Sequence, residues 1–408
     1  MKDIIKILQK QKLKFEKTSE YYNEYKTRFV YKEMNSRLNI LYGIRGSGKT
    51  TLLFQKYLES DKEKRIYLDA EELKLMALDL NKVIEAIEYL FGKEAVFFID
   101  EINVIEDWEK VIKIAYDSYP NMRFYITGSS SLNLIKSKEI LARRAKYIHI
   151  TPLSFREYLM IKYNKVIKQF RIEKNDLLKS AFHYDLYIKE VLGDIKILDI
   201  VDEYIENNLV YLLEGEKSSL SDLVEKAVFI DISKIENIET SNLSKFERLI
   251  LILSASTQTN YENLSKELEV SKSTIGNMLS LLEKTELIKK VYPYKKGKTI
   301  GRKQWKYYFT VPAVRKYYAK KSLVSEEVYK GYMKEDIFIS NFEEVYYHEK
   351  IDFIWKNYLI EIGSKNKGIK QFKKIKNKLK KVVVYEGLDI TSSDGVIKIP
   401  FYIWYSLI

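Results

Sequence analysis

The chain has 408 residues, more than one hydrophobic core usually organises, so two or three domains are expected. It has no cysteine and only three scattered histidines, which excludes a disulfide framework and gives no pattern for a zinc site. The formal net charge is +13 and no run of about 18 apolar residues occurs, so we expect a cytoplasmic protein without a membrane span.

The first motif along the chain is a phosphate-binding loop. Its pattern, G-x-x-x-x-G-K-[ST], follows an apolar strand at Leu38–Tyr42 and precedes a helix-forming run. Glycines let backbone N–H groups turn toward phosphate oxygens, and the helix N-terminus adds the positive end of its dipole. We therefore expect ATP and Mg²⁺ here, with Lys49 at the β- and γ-phosphates and the Thr50 hydroxyl on the metal. The predicted nucleotide-binding residues are Gly43, Ile44, Arg45, Gly46, Ser47, Gly48, Lys49, Thr50 and Thr51.

Two acids end the next strongly apolar stretch, which begins at Ala95. A continuous apolar run predicts a strand that is buried on both faces, and therefore a parallel sheet. A carboxylate at the end of such a strand, beside a phosphate loop, is where Mg²⁺ is held, so Asp100 is the predicted metal-side acid. Glu101 is placed to orient and polarise the attacking water. The alternative is a pair of exposed acids at a strand end.

The following strand, Arg123–Ile126, runs into a segment rich in Thr and Ser. We expect Thr127 to contact the γ-phosphate or the water, with Ser129 as the second choice. The alternative is that these residues cap a helix. Arg143 and Arg144 then precede a last strand. Arg144 is a candidate arginine finger on the nucleotide of a neighbouring subunit in a homo-oligomer, and the alternative is a basic surface pair.

Taken in order, these motifs resemble those of the archaeal and bacterial AAA-type ATPases that carry a C-terminal winged helix and a nuclease-like module. The resemblance spans residues 38–160; beyond the phosphate loop it rests on residues 98–103, 107–109, 127–130, 144 and 152–158. It implies an ATPase core over residues 1–160. The implied fold class is α/β, a P-loop NTPase parallel sheet with a helical lid, then a winged helix-turn-helix and a small α/β nuclease-like domain. The family's glycine before the arginine is Arg143 here.

Residues 161–240 have a helical pattern, which we interpret as a lid over the nucleotide. Residues 241–322 have the pattern of a winged helix-turn-helix that binds double-stranded DNA. The alternative is a module that contacts protein or merely packs on the ATPase. Residues 288–321 hold twelve Lys and Arg and no acid, which is typical of a surface facing a polyanion. The predicted DNA-facing residues are Lys272, Ser273, Thr274 and Asn277 on the third helix, and Lys296, Lys298, Arg302 and Lys303 in the wing.

Residues 323–408 are predicted to form a small α/β domain. Paired strands are expected near 351–355 and 358–362, followed by a helix at 369–379 and a strand at 381–385. Acids and a lysine at strand ends resemble the PD-(D/E)xK nuclease fold, where two carboxylates bind Mg²⁺ and the lysine assists the attacking water. The candidate nuclease residues are Glu344, expected with Glu343 on an upstream helix, and Asp352, Glu361 and Lys365.

One departure from that pattern concerns the lysine. Its usual position, two residues after Glu361, is occupied by Gly363, so Lys365 or Lys367 would have to act from a shifted position. Without such a substitute the domain would keep the fold and lose the reaction. The sequence therefore predicts an ATP-hydrolysing, DNA-binding protein. Two alternatives stay open: a nuclease licensed by the ATPase, and a signalling or scaffold ATPase that recognises protein.

Overall fold

The computed structural model describes residues 1–128, 134–217, 220–232, 240–257, 260–294, 304–375 and 378–408. The chain divides into two compact units, Met1–Thr151 and Pro152–Ile408. The finer boundaries predicted at 160, 240 and 322 stay predictions. Within the described ranges, no helix combines the length and the apolar character needed to cross a membrane.

The first unit contains a five-stranded parallel sheet with strand order β2-β3-β4-β1-β5. The strands are β1 Leu38–Tyr42, β2 Arg65–Asp69, β3 Val96–Asp100, β4 Arg123–Gly128 and β5 Ala145–His149. The helices are α1 Lys2–Tyr22, α2 Lys49–Glu59, α3 Ala70–Leu75, α4 Leu80–Phe91, α5 Trp108–Ser118 and α6 Leu134–Leu141. The predicted parallel sheet is confirmed, and β1 has the predicted bounds.

The apolar run of β3 explains the layered arrangement of this unit. Phe97 and Ile99 belong to a core on one face of the sheet, and Phe98 belongs to a second core on the other face. All three side chains are fully buried. Because side chains alternate along a strand, only a strand covered on both sides needs an unbroken apolar sequence. Asp69 ends β2 and caps α3 by accepting hydrogen bonds from two backbone N–H groups.

The second unit combines helices with an eight-stranded sheet of order β12-β13-β11-β10-β9-β8-β6-β7. Its helices are α7 Phe155–Tyr163, α8 Leu177–Leu192, α9 Ile197–Glu206, α10 Leu220–Glu225, α11 Thr240–Ala255, α12 Tyr261–Leu268, α13 Lys272–Lys284, α14 Pro312–Lys321, α15 Glu326–Asn341 and α16 Phe401–Trp404. Its strands are β6 Ile288–Pro293, β7 Lys306–Phe309, β8 Val345–Tyr347, β9 Phe353–Trp355, β10 Tyr358–Gly363, β11 Lys380–Tyr385, β12 Thr391–Ser393 and β13 Val396–Pro400.

One sheet joins two segments that the sequence treats separately. The hairpin β6–β7 follows three helices in the predicted order, and β6 pairs in parallel with β8 of the C-terminal segment. Helices α8 and α9, in the predicted lid segment, share one hydrophobic core with the C-terminal strands and α16. The interpretation of residues 161–240 as a lid stays a prediction, and the buried apolar side chains of α8 and α9 already pack in this core.

A buried ion pair connects the helices of this unit. The Arg315 guanidinium contacts both carboxylate oxygens of Asp336, and both residues are fully buried. Arg315 also donates to the carbonyls of Leu253 and Ser254, while Asp336 accepts from the Phe309 N–H. These bonds satisfy both charges, which a buried ion pair requires. They link α11, α14, α15 and β7.

Two elements predicted for the C-terminal segment are wrong. Where a helix was expected over residues 369–379, the described residues form a short 3₁₀ turn at Lys370–Lys374, and β11 begins at Lys380. Lysines fill this stretch, and their mutual repulsion disfavours a longer helix. The helix expected to carry Glu343 and Glu344 ends at Asn341, and Glu344 is exposed with a positive φ of 54°.

Candidate functional site

The phosphate loop lies at the carboxyl end of β1 and leads directly into α2. Three of its glycines, Gly43, Gly46 and Gly48, have φ angles of 148°, 77° and 90°. A Cβ atom at Gly43 would lie 2.2 Å from the backbone oxygen of Ile150. Glycine is therefore required at Gly43 by conformation and by space.

Two cations hold the loop in shape. Lys49 is only 6% exposed, and its Nζ donates to the carbonyl oxygens of Gly43 at 2.8 Å and Ile44 at 3.1 Å. Arg28, equally buried, donates through Nη1 to the carbonyls of Ser47 and Thr151, both at 2.8 Å. The ammonium group of Lys49 thus lies over the loop, where a phosphate chain would enter.

Asp100 connects three strands and the loop. Its Oδ2 accepts from the Thr50 hydroxyl at 2.9 Å and from the Tyr67 hydroxyl at 2.7 Å, and its Oδ1 accepts from the Thr127 hydroxyl. The structure therefore brings together Thr50, Asp100 and Thr127, which were predicted from three separate motifs. Each of these three donors is a neutral hydroxyl, so none of them supplies a positive charge to this carboxylate.

Glu101 follows Asp100 and has left-handed backbone geometry, with a φ of 52°. Its N–H donates to the Thr127 hydroxyl oxygen at 3.0 Å. A non-glycine residue in this conformation costs about 1 kcal/mol or more, so the surrounding bonds must hold it there. Thr127 therefore links the two acids, by donating to Asp100 and accepting from Glu101.

Burial shapes the titration of the groups around Asp100. The pKa of Tyr67 is raised well above its usual value, first by burial and then by the negative charge of Asp100. The hydroxyl consequently stays protonated and remains a hydrogen-bond donor. Burial also raises the pKa of Asp69, which lies opposite Asp100 in the β2–β3 register.

The donor set suits magnesium that arrives with a nucleotide. Within the described ranges, no three Asp, Glu or His side chains lie close enough together to hold a metal ion alone. Mg²⁺ is usually bound by one or two carboxylates together with substrate phosphates and water. Asp100 and Thr50, already 2.9 Å apart at the loop, match that requirement.

Arg144 lies at the amino ends of the strands, whereas the phosphate loop lies at their carboxyl ends. It immediately precedes β5 and is level with Arg37, which precedes β1, because Leu38 pairs with Ala145. The five-residue strands separate that edge from the phosphate loop by about 15 Å. Arg144 forms a two-bond ion pair with Asp117, at 2.7 and 2.8 Å. It is therefore not at its own phosphate loop. Ser129, the second candidate beside Thr127, lies outside the described residues.

The predicted DNA-facing residues divide into two groups. On α13, Lys272, Ser273 and Asn277 are exposed and Thr274 is half-buried. The Ser271 hydroxyl caps the helix by accepting from the Thr274 N–H at 3.1 Å. The wing residues lie outside the described residues: Lys296, Lys298, Arg302 and Lys303.

A second group of ionisable side chains lies in the second unit. We call Glu335, Asp352, Glu361 and Lys367 the acid cluster. Lys367 Nζ lies 2.7 Å from Glu361 Oε1, and the Asp352 N–H donates to Glu361 Oε2 at 3.3 Å. Asp352 Oδ2 accepts from the Ile362 N–H at 2.7 Å. Asp352 and Glu361 were predicted to lie together, and the structure brings them together.

Two members of the acid cluster correct the prediction. Glu344 is exposed beyond the end of α15, and the acid that faces Asp352 from that helix is Glu335, which accepts from the Tyr308 hydroxyl at 3.0 Å. Lys365 is exposed, and the lysine paired with Glu361 is Lys367. Burial, followed by the charge of Asp352, raises the pKa of Glu335 to about 8 and that of Glu361 to about 7.

Sequence reasoning missed Tyr67, Arg28 and Glu335. Tyr67 is a polar aromatic residue in the apolar strand next to the acidic one, which is a usable signal. Glu335 lies within α15, and choosing it as the acid near Asp352 required knowing where that helix ends. Arg28 precedes the sheet in an irregular segment, and nothing in its local sequence indicates contact with the loop.

Comparison with known families agrees with the geometry of the first unit. The AAA domain model matches residues 35–159. A second model, a domain of unknown function (DUF8612), matches residues 208–325. The first match spans β1, the phosphate loop, Asp100 and Thr127. The chain therefore contains an AAA-type P-loop ATPase domain, and this supports binding and hydrolysis of ATP.

Similar proteins extend the comparison over most of the chain. Uncharacterized protein MJ1637 of Methanocaldococcus jannaschii is 29% identical, over 92% of this chain and 83% of that protein. Uncharacterized protein MJ1544 of the same organism is 31% identical, over 62% of this chain and 56% of that protein. Among solved structures, the Thermotoga maritima RuvB Holliday junction branch migration motor shares 13% identity over 65% of this chain and 90% of that chain. Its TM-score of 0.29 is too low to bear on function.

Proposed function

We propose that this AAA-type protein hydrolyses ATP with Mg²⁺ and couples hydrolysis to binding of double-stranded DNA. The observation that carries the ATPase part is the hydrogen-bonded group formed by Thr50, Asp100 and Thr127 beside the phosphate loop. These side chains come from three separate motifs and converge where a triphosphate would end.

The loop and Lys49 bind and orient the triphosphate in this proposal. Backbone N–H groups between Gly43 and Thr50 bind phosphate oxygens, and the Lys49 ammonium exchanges its two carbonyl partners for the β- and γ-phosphates. Thr50 and Asp100 would hold Mg²⁺, which supplies neutralisation of the charge that develops on the phosphates. Arg28 stabilises the loop by donating hydrogen bonds to the carbonyl oxygens of Ser47 and Thr151.

Glu101 orients the attacking water and accepts its proton. The Thr127 hydroxyl fixes the backbone of Glu101 and bonds Asp100 at the same time. One side chain thereby sets the distance between the acid for the metal and the acid for the water. Because Thr127 positions both acids, this arrangement supports hydrolysis of ATP in addition to ATP binding.

Two variants test the ATPase proposal. Lys49→Ala should abolish phosphate release, and Glu101→Gln should abolish it while fluorescent ATP analogues still bind. Lys56→Ala, on the same helix α2, is the matched control and should retain wild-type activity. Wild-type hydrolysis in Lys49→Ala would overturn the proposal.

Duplex binding is proposed for α13 and the wing that follows it. The exposed polar residues at the start of α13 are of types that reach base edges or phosphates. Fluorescence anisotropy with a DNA duplex at 50 and 200 mM salt should show affinity that falls steeply with salt. Lys272→Ala should weaken binding and Lys284→Ala, at the other end of the helix, should not. If the protein bound no DNA duplex at either salt concentration, a protein partner would be favoured.

Arg144 is proposed to act on a neighbouring subunit. Its position at the edge opposite its own phosphate loop supports action between subunits of a homo-oligomer, because only another copy could bring a nucleotide to it. Its ion pair with Asp117 would then open on assembly. Light scattering with and without a nonhydrolysable ATP analogue measures that assembly, and Arg144→Ala should lower ATPase activity only in the assembled state.

A nuclease is the second candidate function. The contact between Asp352, Glu361 and Lys367 favours it. As arranged, however, these side chains do not fit a metal ion. Glu361 is ion-paired with Lys367, and within the described residues no three acids lie close enough together to hold a metal ion. Plasmid incubated with Mg²⁺ or Mn²⁺ decides: cleavage by the wild type that Asp352→Ala loses would establish the activity, and equal behaviour of both proteins would exclude it.

A further inference from the structure

Tyr67 is a buried residue at the metal-side acid, and the proposed mechanism does not use it. It lies on β2, is only 2% exposed, and its hydroxyl donates to Asp100 Oδ2 at 2.7 Å. The same oxygen accepts from the Thr50 hydroxyl at 2.9 Å. Because the Tyr67 hydroxyl bonds the carboxylate, its effect on a bound metal acts through Asp100.

Rings from two helices fix the orientation of Tyr67. Its ring is stacked on that of Phe54 from α2, with centroids 4.3 Å apart and an interplanar angle of 4°. The ring of Phe15 from α1 lies 4.5 Å from it. A close-packed core of this kind leaves a side chain few alternative rotamers. The hydroxyl is therefore held on Asp100 Oδ2 by packing as well as by its hydrogen bond.

The hydrogen bonds of Asp100 limit how its carboxylate can contact a metal. A carboxylate has about four acceptor sites, two on each oxygen. The hydroxyls of Thr50 and Tyr67 occupy both sites of Oδ2, and the Thr127 hydroxyl occupies one site of Oδ1. The site that is left is on Oδ1. A contact through both oxygens needs a free site on each, and the Tyr67 hydroxyl takes the second site of Oδ2.

We propose that Tyr67 is a positioning residue that selects Mg²⁺ over Ca²⁺ by confining Asp100 to a contact through one oxygen. Ca²⁺ takes more oxygen ligands than Mg²⁺ and can bind both oxygens of one carboxylate. Mg²⁺ requires a strict octahedral geometry and keeps several waters, so one fixed carboxylate oxygen is sufficient for it. The proposal rests on the proposed function, in which Thr50 and Asp100 hold the metal that accompanies ATP.

The experiment measures binding by the full chain without turnover. Affinity for a fluorescent, nonhydrolysable ATP analogue is determined in Mg²⁺, in Ca²⁺ and in EDTA, and wild type should bind most tightly in Mg²⁺. Tyr67→Phe removes the hydroxyl and keeps the ring. It should lower the ratio of the affinities in Mg²⁺ and Ca²⁺ about tenfold, the usual effect of losing a group that orients a metal ligand. In EDTA the variant should bind like the wild type, because its hydroxyl acts only through the metal-side acid.

Tyr57→Phe is the matched control. Tyr57 is a buried tyrosine of the same core, and its hydroxyl donates to Glu16 at 2.7 Å, away from Asp100. This variant should keep the wild-type ratio. The role of Tyr67 would be overturned if Tyr67→Phe kept that ratio, or if Tyr57→Phe lowered it equally. Wild-type affinity that is the same in Mg²⁺ and in EDTA would instead overturn the metal role of Thr50 and Asp100, and this proposal with it.

Discussion

The site around Asp100 and the acid cluster around Glu361 use carboxylates in different ways. The oxygens of Asp100 accept bonds from three neutral hydroxyls, those of Thr50, Tyr67 and Thr127. Glu361 instead has the Lys367 ammonium 2.7 Å from one oxygen. A carboxylate bonded by hydroxyls keeps its charge for an incoming cation, whereas an ion-paired one is already neutralised. The first site is arranged to receive a ligand, and the second is closed by its own lysine.

The largest expected effect tests whether the first site depends on backbone shape. Gly43→Ala would place a Cβ atom 2.2 Å from the Ile150 oxygen, which must displace the loop. We expect ATP hydrolysis, measured as phosphate release, to fall on the order of 100-fold, since misplacing a catalytic group by about 1 Å has that effect. Gly92→Ala is the control, because Gly92 also has a positive φ but nothing within 4 Å of the added Cβ. Equal activities would show that the loop tolerates the shift.

The next prediction concerns the hydroxyl that links the two acids. Thr127→Val keeps the shape of the side chain and removes its bonds to Asp100 and Glu101. We expect kcat for ATP hydrolysis to fall about tenfold, equivalent to about 1.4 kcal/mol, with little change in KM. Thr127→Ser retains the hydroxyl and should recover most of the activity. If kcat fell equally in both variants, the effect would be due to side-chain packing and not to the hydroxyl.

The two sites also differ in how far the sequence could predict them. The phosphate loop is contiguous, and parallel strands bring their carboxyl ends to one edge, so Asp100 and Thr127 could be assigned from strand order. The acid cluster draws on α15, the turn before β9, β10 and the turn after β10. Its prediction depended on where α15 ends and on which lysine lies beside Glu361. Glu344 was therefore wrong, and of the two lysines left open, Lys367 and not Lys365 contacts Glu361. Tertiary packing decides such details, and no local pattern records it.

Removal of the internal cation would sharpen the contrast. Lys367→Met leaves Glu361, which is 6% exposed, without its ion-pair partner. Because Lys367 is itself partly exposed, we expect a loss of about 1–2 kcal/mol in the free energy of unfolding, less than for a fully buried pair. Lys365→Met removes an exposed lysine nearby and should change stability by less than about 0.5 kcal/mol. Urea unfolding followed by tryptophan fluorescence measures both, and equal stabilities would restore Lys365 as a candidate.

The last prediction concerns the pH dependence of the acid cluster. The pKa of Glu335 is raised to about 8 in the folded chain, mainly by burial and then by the charge of Asp352. The folded state therefore binds a proton that the unfolded state has released above pH 4.5. The contribution of this proton to the free energy of unfolding is fully present below pH 4.5 and is lost as the pH rises toward 8.

Glu335→Gln isolates this contribution, because the amide cannot titrate and still accepts from the Tyr308 hydroxyl. Between pH 5 and 8 the wild type should lose stability relative to this variant, because Glu335 releases its proton over that range and the amide has none to release. Thermal unfolding of both proteins at each pH measures the difference. The pKa of Glu361, about 7 for the same reasons, gives the variant a residual slope of the same sign. Parallel curves for the two proteins would mean that Glu335 is ionised in the folded state, and that the acid cluster carries a charge that a cation could bind.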